Sequence, residues 1–387
     1  MRIAADENIP YAPEAFAQLG EVITMPGRAM DADAVKDCDI LLVRSVTKVN
    51  AGLLDGSRVQ FVATATIGED HIDKAYLDSR GIGFSSAPGS NANSVAEYVV
   101  SALLVMAARR GLDLRSQTLG VIGVGNVGGR VVQKAQALGM TCVLNDPPLE
   151  RITGDPAYRP LGEALECDIV TAHVPLTKEG PDPTHHLLDR GAIARMPDHA
   201  ILFNTSRGAV VDNAALLIAL ESGHLRDAAL DVWEGEPAIH APLLQRVGLG
   251  TPHIAGYSFD GKVNGTQQIY EAACAFFGVE PAWDPGPHLP PPERPVVEVD
   301  SAPPWPEPLA QAVLAVYDIR TDDKALRTIL DAPDAERSAL FDRLRKEYPR
   351  RREFHNTAAA VTPPDEALEA QLGGLGFQRK ESLIAHD

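Results

Sequence analysis

The run Gly120-Val121-Ile122-Gly123-Val124-Gly125-Asn126-Val127-Gly128, with Asp146 lying 18 residues beyond its last glycine, limits the possible fold of this chain more than any other feature. Residues 119–124 are apolar and read as a buried strand, residues 127–138 carry a helical pattern, and residues 141–144 read as a second strand ending near Asp146. Glycines between strand and helix let the backbone turn tightly and bring N–H groups, at the positive end of the helix, close to a pyrophosphate. A carboxylate at the end of the second strand accepts hydrogen bonds from an adenosine ribose and repels a 2′-phosphate. The spacing therefore predicts NAD binding in preference to NADP. A glycine run of this kind alone often serves only close packing; the strand before, the helix after and the acid at this distance favour the dinucleotide reading.

The same alternation of strand and helix extends in both directions. Residues 2–5, 40–43 and 61–64 are short apolar runs separated by helical stretches such as 11–19, as in a parallel α/β sheet. Further buried-strand candidates lie at 169–172, 200–203, 228–231 and 247–250, and with the first two strands of the glycine unit they make a doubly wound sheet. Residues 94–110, apolar at helical spacing, read as an inter-domain helix. From 281 to 308 the composition changes: 11 of 28 residues are proline, which excludes a helix interior and favours an extended linker or wrapped arm. Helical patterns at 309–316 and 325–348 then predict a small third unit, and Arg350-Arg351-Arg352 reads as a solvated helix end.

A chain of 387 residues predicts two or three domains. It has no apolar run long enough to span a membrane, and the acidic pair Asp6-Glu7 interrupts any signal-peptide core, so a cytoplasmic setting is expected. Cys38, Cys142, Cys167 and Cys274 are widely spaced and read as reduced packing residues, with no metal site. A net charge of −18 argues against nucleic-acid or anionic-membrane partners. It also repels a small anionic substrate, so arginines at strand ends become informative.

Three such ends carry candidate chemistry. Arg207 follows the strand ending at Phe203, in Asn204-Thr205-Ser206-Arg207-Gly208, where a guanidinium can grip a carboxylate through two parallel hydrogen bonds. The next strand leads to Asp231-Val232-Trp233-Glu234-Gly235-Glu236-Pro237 and the following one to Thr251-Pro252-His253. An imidazole there can take or return a hydroxyl proton, and a nearby carboxylate, for which Glu236 is the candidate, would hold one tautomer. Each residue alone has a bland alternative in packing or a surface ion pair; three in succession downstream of a dinucleotide grip do not.

Gly123-x-Gly125-x-x-Gly128, His173-Val174-Pro175-Leu176, Arg207-Gly208 with Asp212, Asp231 with Glu236-Pro237, and Pro252-His253-Ile254-Ala255-Gly256 together resemble the D-isomer-specific 2-hydroxyacid dehydrogenases over roughly residues 1–278. The resemblance implies an α/β fold of two Rossmann-like doubly wound lobes, the NAD lobe inserted into the substrate lobe, plus a small C-terminal α+β domain. The implied boundaries are 1–92 with 256–280 for substrate, 93–255 for NAD, and 281–387, including the linker 281–308, for homodimer formation. Arg207, Glu236 and His253 would be catalytic. Cofactor contacts would come from Gly123, Gly125, Asn126, Val127, Gly128, Asp146, Thr205, Ser206, Asp231 and Gly256, with Asp231 holding the nicotinamide carboxamide.

Asp6 to Ala12, Val43 to Asn50 and Ala65 to His71 are similar to members of that family whose substrate carries a phosphate. Arg44, Ser45 and Lys48 follow a strand end and can supply cationic and hydroxyl donors to such a group. The resemblance places Ser45, Thr66 and Tyr257 on the substrate, and the turn 66–68 can offer backbone N–H groups to its carboxylate. Gly129 and Val174 depart from the commoner pattern, so no side-chain contact is assigned there. Two other readings stand beside this one: a 3-phosphoglycerate or generic D-2-hydroxyacid dehydrogenase, which would use the same catalytic residues, and an NAD-responsive binding protein, which would not turn over.

Overall fold

The computed structural model describes residues 1–380. They form two compact units, each assembled from two stretches of chain: Met1–Asn91 with Ser258–Pro290, and Ala92–Tyr257 with the chain from Pro291 onward.

The first unit holds a five-stranded parallel sheet. Strands β1 (Arg2–Asp6), β2 (Glu21–Met25), β3 (Ile40–Val43), β4 (Phe61–Thr64) and β5 (Gly83–Ser85) lie in the order β2-β1-β3-β4-β5. β3 and β4 are buried along their whole length, which is why they read as unbroken apolar runs. The helix Phe259–Phe277 returns to this unit and packs Ile269, Tyr270, Ala273 and Cys274 into the core with Phe16 and Phe61. Part of the proline-rich segment is indeed an arm wrapped on this unit. The Tyr270 hydroxyl accepts from the N–H groups of Ala282 and Trp283, and Tyr11 donates to the His288 carbonyl.

The second unit holds β6 (Thr118–Ile122), β7 (Thr141–Asn145), β8 (Ile169–Ala172), β9 (Ile201–Asn204), β10 (Asp227–Leu230) and β11 (Leu249–Gly250), all parallel, in the order β11-β10-β9-β8-β6-β7. Strand order reverses between β6 and β8, and in open sheets of this kind ligands sit beyond the strand ends at that point. The helix Ala92–Arg110, expected as an inter-domain connector, is instead the central core helix of this unit. It is apolar on nearly all sides because it is covered on nearly all sides, by the helix Asn126–Ala137 and by the C-terminal helix Glu307–Val316.

The C-terminal segment carries the expected small third sheet, and it packs into the second unit rather than apart from it. Its sheet, β12 (Val296–Asp300), β13 (Ala358–Thr362) and β14 (Gln378–Arg379), is wholly parallel, so it is built as α/β crossovers. Val297, Val299, Leu309, Val313, Leu372 and Leu375 belong to one apolar cluster with Val99, Leu103 and Val131. The 325–348 helical pattern resolves into Ile319–Arg327 and Asp334–Lys346, interrupted before Pro333. The basic triplet is also corrected: Arg351 and Arg352 are only 6% and 9% exposed. The Arg351 guanidinium lies 3.9 Å from the Tyr317 ring centroid and donates to the Ser94 hydroxyl at 2.5 Å.

All four cysteines are unpaired, and burial pushes the Cys142 thiol up to about 11, in keeping with packing roles. Among the described residues no helix is long and apolar enough to cross a membrane.

Candidate active site

The glycine turn after β6 forms the cradle that the sequence expects. Gly123 has φ +85°, a conformation side chains rarely adopt, and a Cβ there would lie 2.8 Å from the His173 carbonyl. A Cβ on Gly128 would collide with the Gly123 carbonyl, so the helix Asn126–Ala137 approaches the turn closely only because that position is bare. Gly125 faces open space and is the helix N-cap, with no side chain bonded to the first turn, so those N–H groups are available to an anion. Asp146 follows β7; its Oδ2 accepts from the Val124 N–H at 2.8 Å and its Oδ1 caps the helix Pro147–Thr153 through Leu149 N–H at 3.0 Å. Two bonds leave acceptor capacity on that carboxylate, and its charge is fixed beside the glycine turn. A turn, a bare helix N-terminus and an anchored acid fit a dinucleotide.

Three further loops leave adjacent strand ends. β9 and β10 pair with Asn204 opposite Leu230, and β10 and β11 pair with Leu230 opposite Gly250, so residues 204–208, 231–237 and 251–257 emerge side by side. The first loop is shaped by Asn204, whose amide donates to the Arg207 carbonyl at 2.9 Å and accepts from the Ser206 N–H and hydroxyl. Arg207 donates to the Ser206 carbonyl at 2.8 Å. Thr205 meets His173 Nδ1 at 3.0 Å, while the other ring nitrogen meets Thr171 at 2.9 Å. Burial pushes His173 down to about 3, so this imidazole is a neutral strut between β8 and the Thr205 turn.

Asp231 builds the third loop. It is 1% exposed and its carboxylate accepts from the Thr251 hydroxyl (2.7 Å) and the N–H groups of Ile254 (2.7 Å) and Ala255 (2.9 Å). Its carbonyl accepts from the His253 N–H at 2.7 Å. Such over-determination is what holds His253 at φ +57°, a left-handed conformation unusual for a residue with a side chain.

The outcome is a dyad. His253 Nδ1 lies 2.5 Å from Glu236 Oε1, and Glu236 Oε2 accepts from the Trp233 N–H at 3.1 Å. Burial alone would raise the Glu236 pKa, but His253, the Trp233 N–H and the charge of Arg345 together hold it below the usual carboxylate value. An ionised carboxylate only accepts, so Nδ1 carries the hydrogen and Nε2 is left as the proton acceptor. Four residues on, Tyr257 receives a hydrogen bond from the Arg345 guanidinium at 3.1 Å.

In the first unit, Arg44 and Ser45 follow β3 and Thr66 follows β4; Val43 pairs with Thr64, so these residues leave neighbouring strand ends. The Thr66 hydroxyl bonds to Thr64 at 2.7 Å and to the Gly68 carbonyl at 3.2 Å, which shapes the 66–68 turn. Among the described residues one trio, His185, His186 and Glu234, brings ligand-capable atoms within 4.8 Å of one another. Two of these already share a hydrogen bond, His186 Nε2 with Glu234 Oε1 at 2.7 Å.

Sequence reasoning did not single out Arg345 or the strut role of His173, and it read Arg351 only as part of a solvated helix end. The two arginines carry no local signal, since their partners Tyr257 and Ala255 lie 88 and 96 positions away; His173 was visible as part of a motif, though not as a support for Thr205.

Residues 93–255 match the family described as D-isomer specific 2-hydroxyacid dehydrogenase, NAD binding domain, and residues 288–376 match a domain of unknown function (DUF3410). The chain is 45% identical to the erythronate-4-phosphate dehydrogenase of Marinobacter nauticus, over 98% of this chain and 100% of that one. It is 48% identical to the enzyme of the same name from Cronobacter sakazakii, over 97% and 98% of the two chains. Among solved structures it resembles a D-lactate dehydrogenase from Aquifex aeolicus complexed with NAD and lactic acid, with TM-score 0.57, 26% identity, and 72% and 96% of the two chains covered. An NAD-dependent formate dehydrogenase from Staphylococcus aureus, in complex with NAD, superposes with TM-score 0.59, 25% identity, and 73% and 98% coverage.

Proposed function

This chain belongs to the erythronate-4-phosphate dehydrogenases, a branch of the D-isomer specific 2-hydroxyacid dehydrogenases, and from that premise we propose that it oxidises 4-phospho-D-erythronate to (R)-3-hydroxy-2-oxo-4-phosphooxybutanoate with NAD, a step of vitamin B6 biosynthesis. The observation that carries the reaction type is the contact of His253 Nδ1 with Glu236 Oε1 at 2.5 Å, on loops beside Arg207 and in the same unit as the glycine cradle.

The glycine turn and Asp146 would hold NAD, which when bound would supply the oxidising power as the acceptor of the C2 hydride. His253 Nε2 removes the proton of the C2 hydroxyl, so that the C–O bond becomes a carbonyl. Glu236 stabilises the imidazolium that results and fixes the ring orientation. Arg207 aligns the substrate carboxylate and opposes the charge developing on the carbonyl oxygen. Thr205, Ser206 and Gly256 border the cofactor position, and Asp231, most of whose acceptor capacity shapes the histidine loop, offers Oδ2 to the nicotinamide carboxamide. Arg44, Ser45 and Lys48 would meet the phosphorylated end of the substrate, Thr66 and its turn the carboxylate, and Tyr257 would be a further substrate contact. On this assignment the first unit is the substrate-binding one and Ala92–Tyr257 the NAD-binding one. We also propose that two copies assemble through the C-terminal segment, which a light-scattering mass of a single chain would reject. Four unpaired cysteines support a cytoplasmic setting.

Cofactor reduction followed at its absorbance band, with 4-phosphoerythronate beside 3-phosphoglycerate and D-lactate, tests the substrate. The phosphorylated four-carbon acid is expected to have the highest kcat/KM; higher kcat/KM on D-lactate or 3-phosphoglycerate rejects the assignment. Arg44→Ala should raise KM for the phosphorylated acid by about tenfold or more, as loss of a charge-assisted hydrogen bond predicts, with little change for D-lactate. Equal effects on both would place the phosphate elsewhere.

A further inference from the structure

The C-terminal segment touches the catalytic histidine loop and the strand leading into it from four directions. Asp323 Oδ1 accepts from the N–H of Gly250, the last residue of β11, at 2.8 Å. Arg327 donates to the carbonyls of Leu244 and Val247, both at 2.8 Å, just before that strand. Arg351 donates to the Ala255 carbonyl at 2.8 Å, two residues beyond His253. Arg345, in the last turn of the helix Asp334–Lys346, donates to the Tyr257 hydroxyl at 3.1 Å and lies 5.8 Å from the centroid of its ring. The helix is anchored for this purpose: Phe341 is fully buried and Leu340 and Leu344 pack beside it against Leu326 and Ile329. Tyr257 is held from the other side by an edge-on contact with Tyr348, whose hydroxyl donates to Asp322.

Resting on the assignment of His253 and Glu236 above, we propose that the segment beyond the proline-rich arm is a working part of the active site, and that Arg345 is its positioning residue for the dehydrogenase reaction. Three observations meet at this side chain. Its hydrogen bond to the Tyr257 oxygen, with the guanidinium 5.8 Å from the ring centroid, fixes the phenol next to the histidine loop and puts a positive charge beside it. Its charge acts on Glu236 and Asp231, the two acids that respectively orient His253 and shape its loop; these and Tyr257 raise its own pKa against the effect of burial. Its Nε is buried with no hydrogen-bond partner among the described residues. An arginine kept there with an unmet N–H is held by the electrostatic demand of the site rather than by its own bonding.

The test compares full-length Arg345→Gln, Arg345→Lys and Tyr257→Phe with the parent, using His253→Ala as a control. Read-outs are kcat and KM for 4-phosphoerythronate, the pH profile of kcat/KM, NADH affinity by fluorescence, melting temperature and light-scattering mass. The groups facing the dyad are Arg345 and the Trp233 N–H on the Glu236 side and Asp231 behind the loop. Removing the cation makes proton uptake by the dyad easier, so Arg345→Gln should move the acid limb to higher pH by roughly half to one unit. It should also lower kcat/KM by about tenfold, with NADH affinity and mass unchanged. Arg345→Lys should restore the acid limb but not KM, because an ammonium supplies charge without the planar fork. Tyr257→Phe should raise KM and leave the acid limb in place. A folded Arg345→Gln enzyme with the parental pH profile and KM overturns the proposal. So does a variant whose NADH affinity and melting temperature fall in step with its activity. Should Arg345→Gln fail to fold, an acid limb displaced in Arg345→Lys overturns it equally. Undiminished turnover by His253→Ala would instead remove the underlying proton-transfer assignment, which separates the two failures.

Discussion

His253 sits in a left-handed backbone conformation because Asp231 leaves the loop no alternative, and its ring is aimed because Glu236 occupies Nδ1. Positioning of this kind gives an acid/base its advantage over solvent, typically a factor of about 10² to 10⁴. His253→Ala should therefore lower kcat by that order while NADH affinity stays within about threefold; single-turnover and binding measurements on the purified variant check both. Residues of this class could be found in the chain because each follows a recognisable apolar run. Asp146, Arg207, Glu236 and His253 all stand just after a strand, and their spacing is fixed by the strand and helix lengths between them. Arg345 and Arg351 could not be found that way. Their partners are remote in sequence, and a basic cluster near a helix end has the same appearance whether it is solvated or, as here, stacked on Tyr317 and bonded to Ser94 and Ala255.

The helix Ala92–Arg110 carries one buried acid, Glu97, in an otherwise apolar body. It accepts from Asn93 at 2.9 Å and from the Phe354 N–H at 2.9 Å, and its second oxygen has no hydrogen-bond partner among the described residues. Burial and the neighbouring Glu353 push Glu97 up to about 8, against the attraction of Lys134 and Arg351. The folded chain thus holds a proton that the unfolded chain releases near the ordinary carboxylate pKa. Between the ordinary carboxylate range and about pH 8 the folded state binds more protons, so this group makes stability fall as pH rises. Glu97→Gln should flatten the decline of melting temperature across that window; calorimetry at several pH values decides, and an unchanged slope rejects the assignment. The helix itself was readable from its period, but not its place, since a helix apolar on every side looks the same whether it joins lobes or fills a core. β13 was missed for a related reason: the run Ala358-Ala359-Ala360 favours a helix locally, and pairing with β12 and β14 overrides that preference.

Most strands of the first two sheets followed from the alternation of apolar runs, because parallel strands buried on two faces leave continuous apolar text, whereas the partly exposed edge strands β2 and β5 did not. The attachment of the C-terminal segment to the second unit did not, because shared burial between segments so far apart in the chain leaves no periodic mark. Its energetic weight is large. Val297, Val299, Leu309, Val313, Leu368, Leu372, Leu375 and Phe377 are buried in the common cluster, and each such side chain contributes about 1.5 to 3 kcal/mol. Their sum, on the order of 12 to 24 kcal/mol, is at least comparable to the net stability of an ordinary domain, about 5 to 15 kcal/mol. A chain ending at Pro290 should therefore lack a cooperative melt and precipitate on expression; a soluble truncation melting within a few degrees of the full chain would show that the second unit stands alone.

The apolar cover for the helix Ala92–Arg110 is encoded far later in the chain, in Glu307–Val316 and beyond. Ribosomes add roughly 5 to 20 residues per second, so the nascent polypeptide waits on the order of ten seconds or more with that surface unmatched. During this interval the glycine turn and its sheet can already have formed, yet the histidine loop lacks its brace. Assembly of this core therefore waits until the segment from Glu307 onward has been synthesised.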